Sequence, residues 1–472
     1  MSQLFADIFP PADKAQWLAQ VQKDLKDPTR SAEAVYESLR WQTPEGFSVE
    51  PYYTAEDLEH LPLETLQAAQ KKQPGWLTTP ELRVQDPKED NATLRDWLSR
   101  GADALLLDGT NTAGTEADLT RLLNGIKLSE TPVFFRFTGP ATEWLTTLQR
   151  VAPYQLKGGF LNDQLARWTT AGDPYTAGLA SVAEATRLSA SSPQFRTITV
   201  SSHAVHNAGA NATQELAFLL ASLTDIYDHL TNAGLAVDQL APKTVLSVSV
   251  GTSYFMEIAK LWALRILYQR LLAAYSPHAS HPMPERRNAH GPCYIHAQTS
   301  TFYDATATPY TNLLRATTEA MAAVIGGCDA LTVHPYDTTF RQPDEFSHRI
   351  ARNLSILLKE ESHLDKVADP AAGTYYLENL TNQLVEAAWQ LFLAVEERGG
   401  FTKAFEQGFI QEQIQQAYQA KVDAVQNGRV LVGVTKFRFD EESVAKPDQP
   451  LRPLQANGIP LLPDRRLATA FE

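Results

Sequence analysis

Polar side chains able to do chemistry fall at or just beyond the ends of short apolar runs: Asp108, Asp163, Ser201, Ser202, His203, Thr252, Gln298, Thr299, His334 and Asp337. An imidazole beside a carboxylate can move a proton, so His203 with Asp163 on a neighbouring strand is one candidate acid–base pair. The same groups have a plainer use, capping the helices that follow or lining a polar mouth. Both readings stay open at the level of sequence. His203 and His206 also form H-x-x-H, a spacing that can bring two imidazoles to a metal, but no H-E-x-x-H context or third ligand accompanies them. His278, His281 and His290 lie in a proline-containing connector and read as solvated loop histidines. Cys293 and Cys328 stand in apolar settings and read as small buried side chains, neither nucleophiles nor part of a disulfide framework or zinc box.

Groups at strand ends need strands to carry them. Short apolar runs occur at 81–84, 104–107, 133–137, 158–161, 197–200, 245–250, 294–297 and 330–333. Helical patterns separate them, among them 212–230, 254–274, 309–325 and 345–358. Eight strands alternating with helices match a (β/α)8 TIM barrel, which puts its chemistry at the C-terminal strand ends. The rival, an open doubly wound sheet, normally carries a Gly-rich phosphate turn, and neither G-x-G-x-x-G nor G-x-x-x-x-G-K-[ST] occurs.

Both ends of the chain read differently. Residues 1–75 form an N-terminal extension: an amphipathic helix over 12–25 carried by Trp17, Leu18, Val21 and Leu25, then extended pieces with Thr54-x-x-Asp57 as a capping box. It has too little core to fold alone and should lie on something larger. Residues 76–400 hold the barrel. In 401–472, Phe401, Phe405, Phe409, Ile410 and Ile414 make a helical stripe, 430–437 reads as a strand, and Pro447, Pro450, Pro453, Pro460 and Pro463 punctuate a linker-like tail. With 43% apolar and 20% charged residues the chain can bury a core. Its net charge of −14 argues against nucleic acid or anionic lipid as main partner. No signal peptide or membrane-length apolar run is visible, which leads to the expectation of a cytoplasmic protein.

More specific are the runs Asn207-Ala-Gly-Ala-Asn-Ala-Thr-Gln-Glu-Leu-Ala-Phe218, Phe255-Met-Glu-Ile-Ala-Lys260 with Arg265, and Tyr310-Thr-Asn-Leu-Leu-Arg315. Thr318-Glu319-Ala320, Gly326-Gly327, Pro343 to Ser347, Arg349 to Asn353, Glu360 to Ser362 and Asp369-Pro-Ala-Ala-Gly-Thr-Tyr-Tyr376 follow in order. Together they resemble the acyl-CoA mutases that use adenosylcobalamin, and among these the small, or β, subunits of methylmalonyl-CoA mutases. The resemblance covers the barrel and reaches the N-terminal extension through 17–25 and 41–58.

The resemblance implies a barrel whose axis admits a CoA ester, cobalamin over its open end, and a radical rearrangement of methylmalonyl-CoA to succinyl-CoA or the reverse. It also implies where this chain departs. The substrate-contacting histidine of the catalytic chains falls at Ala204, with His203 one place off and pointing elsewhere if the segment is extended. The substrate-binding glutamine falls at Leu161, in Leu161-Asn162-Asp163, and the carboxylate-binding arginine near Ala171. The early Arg-Gln-Tyr-Ala-Gly-Phe stretch has no counterpart around Pro80 to Asp90, and no histidine has the Asp two places before it that marks a cobalt ligand. Lys243 falls where the catalytic chain has a CoA-phosphate arginine, though a solvated lysine before a strand fits equally; Gln298 matches a family glutamine and can equally be a structural hydrogen-bonding group. The expectation is a non-catalytic small subunit, with no catalytic, cofactor or metal residue of its own. It would pair with a large catalytic subunit that holds adenosylcobalamin, the cobalamin domain being absent from this chain and a vestigial acyl-CoA site open. The alternatives are an independent acyl-CoA-binding barrel, or a catalytic chain of different substrate range paired with a separate cobalamin subunit.

Overall fold

The computed structural model describes residues 13–25, 30–110, 114–275, 293–439 and 455–472. The connector histidines His278, His281 and His290 lie outside these residues, as do Pro447, Pro450 and Pro453.

Eight strands carry the architecture. Strand β1 runs as Leu77–Thr78 and, past Thr79 and Pro80, as Glu81–Arg83; β2 is Leu105–Asp108, β3 Val133–Arg136 and β4 Gly158–Phe160. Strand β5 runs as Phe195–Arg196 and, past Thr197, as Ile198–Ser201; β6 is Thr244–Val250, β7 Ile295–Thr299 and β8 Ala330–Thr332. Every neighbouring pair is parallel. The first piece of β1 pairs with β8 and its second with β2, while the two pieces of β5 pair with β4 and β6. Because β1 and β5 are each continuous, the two five-stranded sheets share them and the ring closes. This is a (β/α)8 barrel, as the strand count requires.

Alternation along each strand sorts the residues. In β6 every position is buried. Leu246, Val248 and Val250 join the core beneath the helices, whereas Val245 joins a separate cluster in the axis with Ala104, Leu106, Phe134 and Leu161. Helix Tyr254–Ala274 is buried on almost every side, between helices Thr311–Ile325 and Tyr375–Glu396. Asn211 and Gln214 close a capping box on helix Ala212–Asn232, and Asp344 with Ser347 closes one on Glu345–Glu360.

The N-terminal segment lies on this barrel. The hairpin Trp41–Gln42 with Ser48–Val49 is docked by Asn211 Nδ2 to Pro44 O (2.6 Å) and Thr213 Oγ1 to Glu45 O (3.0 Å). Thr54 and Asp57 form the expected box, on a short 3-10 turn, Ala55–Leu58. Helix Lys14–Leu25 buries none of its residues; it is held by Lys14 to Asp57 (2.5 Å) and by Trp17 stacked on Tyr52.

At the other end, Gly408 in a left-handed turn (φ 83°) splits the aromatic stripe into helices Phe401–Glu406 and Phe409–Gln426. Gly209 (φ 111°) ends the short helix His203–Ala208, and a Cβ there would stand 2.7 Å from Tyr418, so glycine lets the last long helix approach the barrel mouth. The strand expected over 430–437 does not form. Gly433 turns the chain back so that Val432 bridges Lys436, and the carbonyls are taken by side chains, Val432 O by Arg315 Nη2 (2.7 Å) and Gly433 O by Thr308 Oγ1 (3.1 Å).

Candidate functional site

The axis of the barrel is filled in layers. At the N-terminal end Arg196 lies over the Tyr294 ring, 3.9 Å from its centroid. Above it Leu106, Phe134, Leu161 and Val245 pack together, all at most 5% exposed. The next layer is polar and runs as a chain of hydrogen bonds across the barrel. His203 Nε2 meets Ser247 Oγ (2.8 Å), Ser247 Oγ meets His296 Nδ1 (2.8 Å), His296 Nε2 meets Thr332 Oγ1 (2.9 Å), and Thr332 Oγ1 donates to Thr79 O (2.7 Å). His203 Nδ1 reaches Ser249 Oγ at 2.7 Å. Burial, with Arg136 and His334 adding to it, pushes His296 down to about 3, and burial drives His203 well below the usual imidazole range. Both rings stay neutral at pH 7. Arg136 is paired with Glu81, and His334 Nδ1 stands 3.9 Å from the same carboxylate.

The candidate acid–base pair does not form a hydrogen bond. Asp163 Oδ1 caps helix Gln164–Ala171 through Leu165 N and Ala166 N, and Oδ2 accepts from Ser201 N (2.7 Å) and Ser201 Oγ. For Asp163 the capping reading is the correct one; Asp108 caps no helix and instead accepts from Thr110 N and Oγ1 in a local turn, while the next helix, Glu116–Leu122, is capped by Thr115. The segment after β5 is a helix, not extended, so the argument from strand alternation does not apply to His203; its ring reaches the serines of β6 from helix His203–Ala208. His206 faces the other way. Thr299 Oγ1 accepts from His334 N, Asp337 pairs with Arg341, and Thr252 is half-buried after β6. Gln298 Nε2 and Asn162 Nδ2 are buried donors with no partner among the described residues.

Behind this layer lies a second polar cluster that sequence reasoning missed. Glu215 Oε1 accepts from His206 Nδ1 (2.8 Å), and Oε2 accepts from Ser202 Oγ (3.1 Å) and Lys260 Nζ (3.0 Å). Lys260 also reaches Ser249 O (2.8 Å) and Glu257 Oε2 (2.6 Å), while His206 Nε2 meets Ser300 Oγ (2.7 Å). Burial alone would raise the Glu215 carboxyl; Lys260 and His206 overcome it and hold it at about 2. A cavity of about 380 Å³ adjoins this cluster, walled by Trp41, Glu45, Glu257, Tyr303 and Lys421. Lys421 Nζ donates to Gly209 O and Ala210 O, and burial lowers it to about 8. The available signal for this cluster was the Glu257/Lys260 spacing on a helix with no polar face; Ser247 and Ser249, at same-face positions of β6, signal the axial layer instead.

Ala204 is half-buried on helix His203–Ala208, Leu161 is in the apolar axis layer, and Ala171 is exposed at the end of its helix. Lys243 is not available to a phosphate. Its Nζ is buried and donates to Ser189 O, Ser192 O and Phe195 O, and burial lowers it to about 8. Burial raises both thiols, Cys293 and Cys328, to about 12, which keeps them unreactive. Among the described residues no group of three His, Cys, Asp or Glu is placed to hold a metal ion, and no helix is long and apolar enough to cross a membrane.

A family model described as methylmalonyl-CoA mutase matches residues 108–459. This chain belongs to the methylmalonyl-CoA mutase family. It is 34% identical over 457 residues to the methylmalonyl-CoA mutase small subunit of Porphyromonas gingivalis, covering 92% of this chain and 71% of that one. It is 30% identical over 475 residues to the methylmalonyl-CoA mutase of Escherichia coli, covering 90% of this chain and 64% of that protein. The methylmalonyl-CoA mutase large subunit of Porphyromonas gingivalis is 30% identical over 465 residues, covering 88% and 63%. This chain thus spans less than two thirds of the Escherichia coli mutase and of the Porphyromonas gingivalis large subunit. The family match runs past the barrel through the C-terminal helices.

Proposed function

We propose that this chain is the non-catalytic small subunit of a heterodimeric methylmalonyl-CoA mutase, in which a large subunit holds adenosylcobalamin and carries out the isomerisation of methylmalonyl-CoA to succinyl-CoA. In this reading the N-terminal extension 1–75 lies on the barrel 76–400 through its hairpin and offers helix Lys14–Leu25 to the partner, and 401–472 hold the C-terminal helices and tail. The observation that carries it is the filled axis. Leu161, where the family resemblance puts a substrate-binding glutamine, packs on Leu106, Phe134 and Val245, so an acyl-CoA arm along the axis would meet close-packed side chains.

The mouth supports the same reading. Ala204 offers no hydrogen bond where the resemblance calls for a histidine, and the neutral His203 beside it is tied to two serines. Among the described residues the histidines of the barrel mouth do not fit a cobalt ligand: His203, His206 and His296 have both ring nitrogens engaged, and His334 Nδ1 stands 3.9 Å from Glu81. This favours a cofactor held by the partner. That Porphyromonas gingivalis has both a small and a large subunit, each similar to this chain, favours a heterodimer. Helix Lys14–Leu25, with no buried residue, is short for a helix standing alone and suits a surface completed by another chain.

The test is succinyl-CoA formation from methylmalonyl-CoA and adenosylcobalamin by the purified chain alone, by its Ala204→His variant, and by the complex with a large subunit. Only the complex is expected to turn over. One histidine brings about 10²- to 10⁴-fold at most, and without the other positioning groups that gain has nothing to act on. Cofactor-dependent turnover by the unmodified chain alone would overturn the proposal and promote the reading as a catalytic chain.

A further inference from the structure

The loop after β7 contains an anion cradle that is already filled. Glu472 Oε1 accepts from two consecutive backbone groups, Thr306 N and Ala307 N (2.9 Å), and Oε2 accepts from Thr306 Oγ1 (2.7 Å) and Arg466 Nη1 (3.3 Å). Arg466 is fixed in turn by Asp304 O (3.2 Å). The glutamate side chain is 7% exposed. Two adjacent N–H groups, a hydroxyl and a guanidinium converging on one carboxylate form a nest of the kind that selects anions.

The segment ending in this glutamate crosses the C-terminal face of the barrel and is tied at three places. Leu462 N donates to Thr169 O (2.8 Å) in the helix after β4, Arg465 N to Asn207 O (3.0 Å) after β5, and Leu467 N to Phe302 O (2.8 Å) after β7. Asn207 Nδ2 returns a bond to Asp464 Oδ1 (3.0 Å). Leu467 and Ala468 are buried, Leu467 in a cluster with Phe302 and Ala468 in one with Ala305 and Val434.

We propose that Thr306, Ala307 and Arg466 form a carboxylate-recognition site whose ligand is supplied in cis by Glu472, latching residues 459–472 as a strap across the mouth of the barrel. The apolar contacts of Leu467 and Ala468 carry no directional demand on Glu472; the four donors do. The loop 304–308 therefore has a use beyond connecting β7 to helix Thr311–Ile325. It reads a negative charge and so reports whether the strap is closed. The latch would serve a catalytic and a non-catalytic chain alike.

Hydrogen exchange on the full chain tests it. Glu472→Ala empties the cradle, and exchange at the amides of Thr306, Ala307 and Leu467 is expected to rise about tenfold or more, as losing charge-assisted hydrogen bonds requires. Amides of β6, such as Leu246 and Val248, should keep their protection, which shows that the variant is folded. Acetate or inorganic phosphate at tens of millimolar should then restore protection at Thr306 and Ala307, whereas acetamide should not. Unchanged exchange in Glu472→Ala overturns the latch. Failure of both anions to protect, or equal protection by acetamide, overturns the recognition of charge and leaves a strap held by packing alone.

Discussion

Replacing Lys260 by Met should expose how much of this fold depends on one buried ammonium. Lys260 is 1% exposed, and its Nζ serves Glu215 Oε2 at 3.0 Å, Glu257 Oε2 at 2.6 Å and Ser249 O at 2.8 Å. A methionine fills the space of the stem but leaves two carboxylates facing each other without a cation. Breaking a buried ion pair by removing one partner costs about 3–5 kcal/mol. A second route gives a similar figure: a carboxyl moved from 4.5 to about 2, as in Glu215, corresponds to about 3 kcal/mol. Because its folded value is depressed, Glu215 adds stability above about pH 4.5 that is lost as pH falls toward 2. In Lys260→Met that depression is relieved, so the deficit against the unmodified chain should be largest at pH 7 and shrink on acidification. Urea midpoints followed by tryptophan fluorescence at pH 7 and about pH 3 measure this. The double variant Glu215→Gln, Lys260→Met should recover part of the loss, since a neutral amide no longer needs the cation. A cost under about 1 kcal/mol at pH 7, or a double variant no more stable than the single one, would refute the account of this cluster as a coupled buried ion pair.

Asp304 offers a test of opposite sign. Burial raises its carboxyl from 3.8 to about 8 despite Arg315 and Arg466 nearby, so the folded chain holds a proton that the unfolded chain releases. Stability should therefore fall as pH rises from about 4 to 8, by up to about 1.4 kcal/mol per pH unit from this group; Asp304→Asn should flatten that slope, and parallel urea-midpoint curves for the two proteins would dismiss the assignment. Deleting residues 1–30 should leave the circular dichroism of the barrel intact, because helix Lys14–Leu25 buries nothing, but should weaken binding to a large subunit. An unchanged dissociation constant, measured by titration calorimetry, would remove the wrapping idea.

The barrel was legible because its signal is periodic. All eight apolar runs became strands, and helix Tyr254–Ala274 begins and ends where its pattern does. The two short pieces that close the ring were not seen. Leu77–Thr78 is two residues long and cut off by Pro80, and Phe195–Arg196 carries a charge that strand patterns disfavour. The arginine is tolerated because it lies on a tyrosine ring inside the barrel, a contact between residues about 100 positions apart. Residues 430–437 show the converse. Val430, Val432 and Val434 alternate like a strand, yet a strand needs an edge to pair with, and local pattern carries no information about edges. The polar groups were visible as residue types and invisible as partners. Asp163 could cap a helix or serve His203, and the placement of Leu165 N and Ala166 N on one oxygen and Ser201 N on the other decides between the two.

The pairing of β1 with β8 has a consequence for how this chain must be made. Leu77 and Thr78 find their partners in Ala330 and Leu331, roughly 250 residues further on, and at about 5–20 residues per second that is about 12–50 s of synthesis. Through that interval the first barrel strand presents an unsatisfied row of amides and carbonyls to everything else near the ribosome, the kind of edge that recruits foreign strands. The N-terminal segment offers little shelter, because Tyr53 packs on Tyr376 and Gln67 bonds to Glu378, residues made later still. Until the last third of the chain emerges, protection of that edge must come from outside the polypeptide.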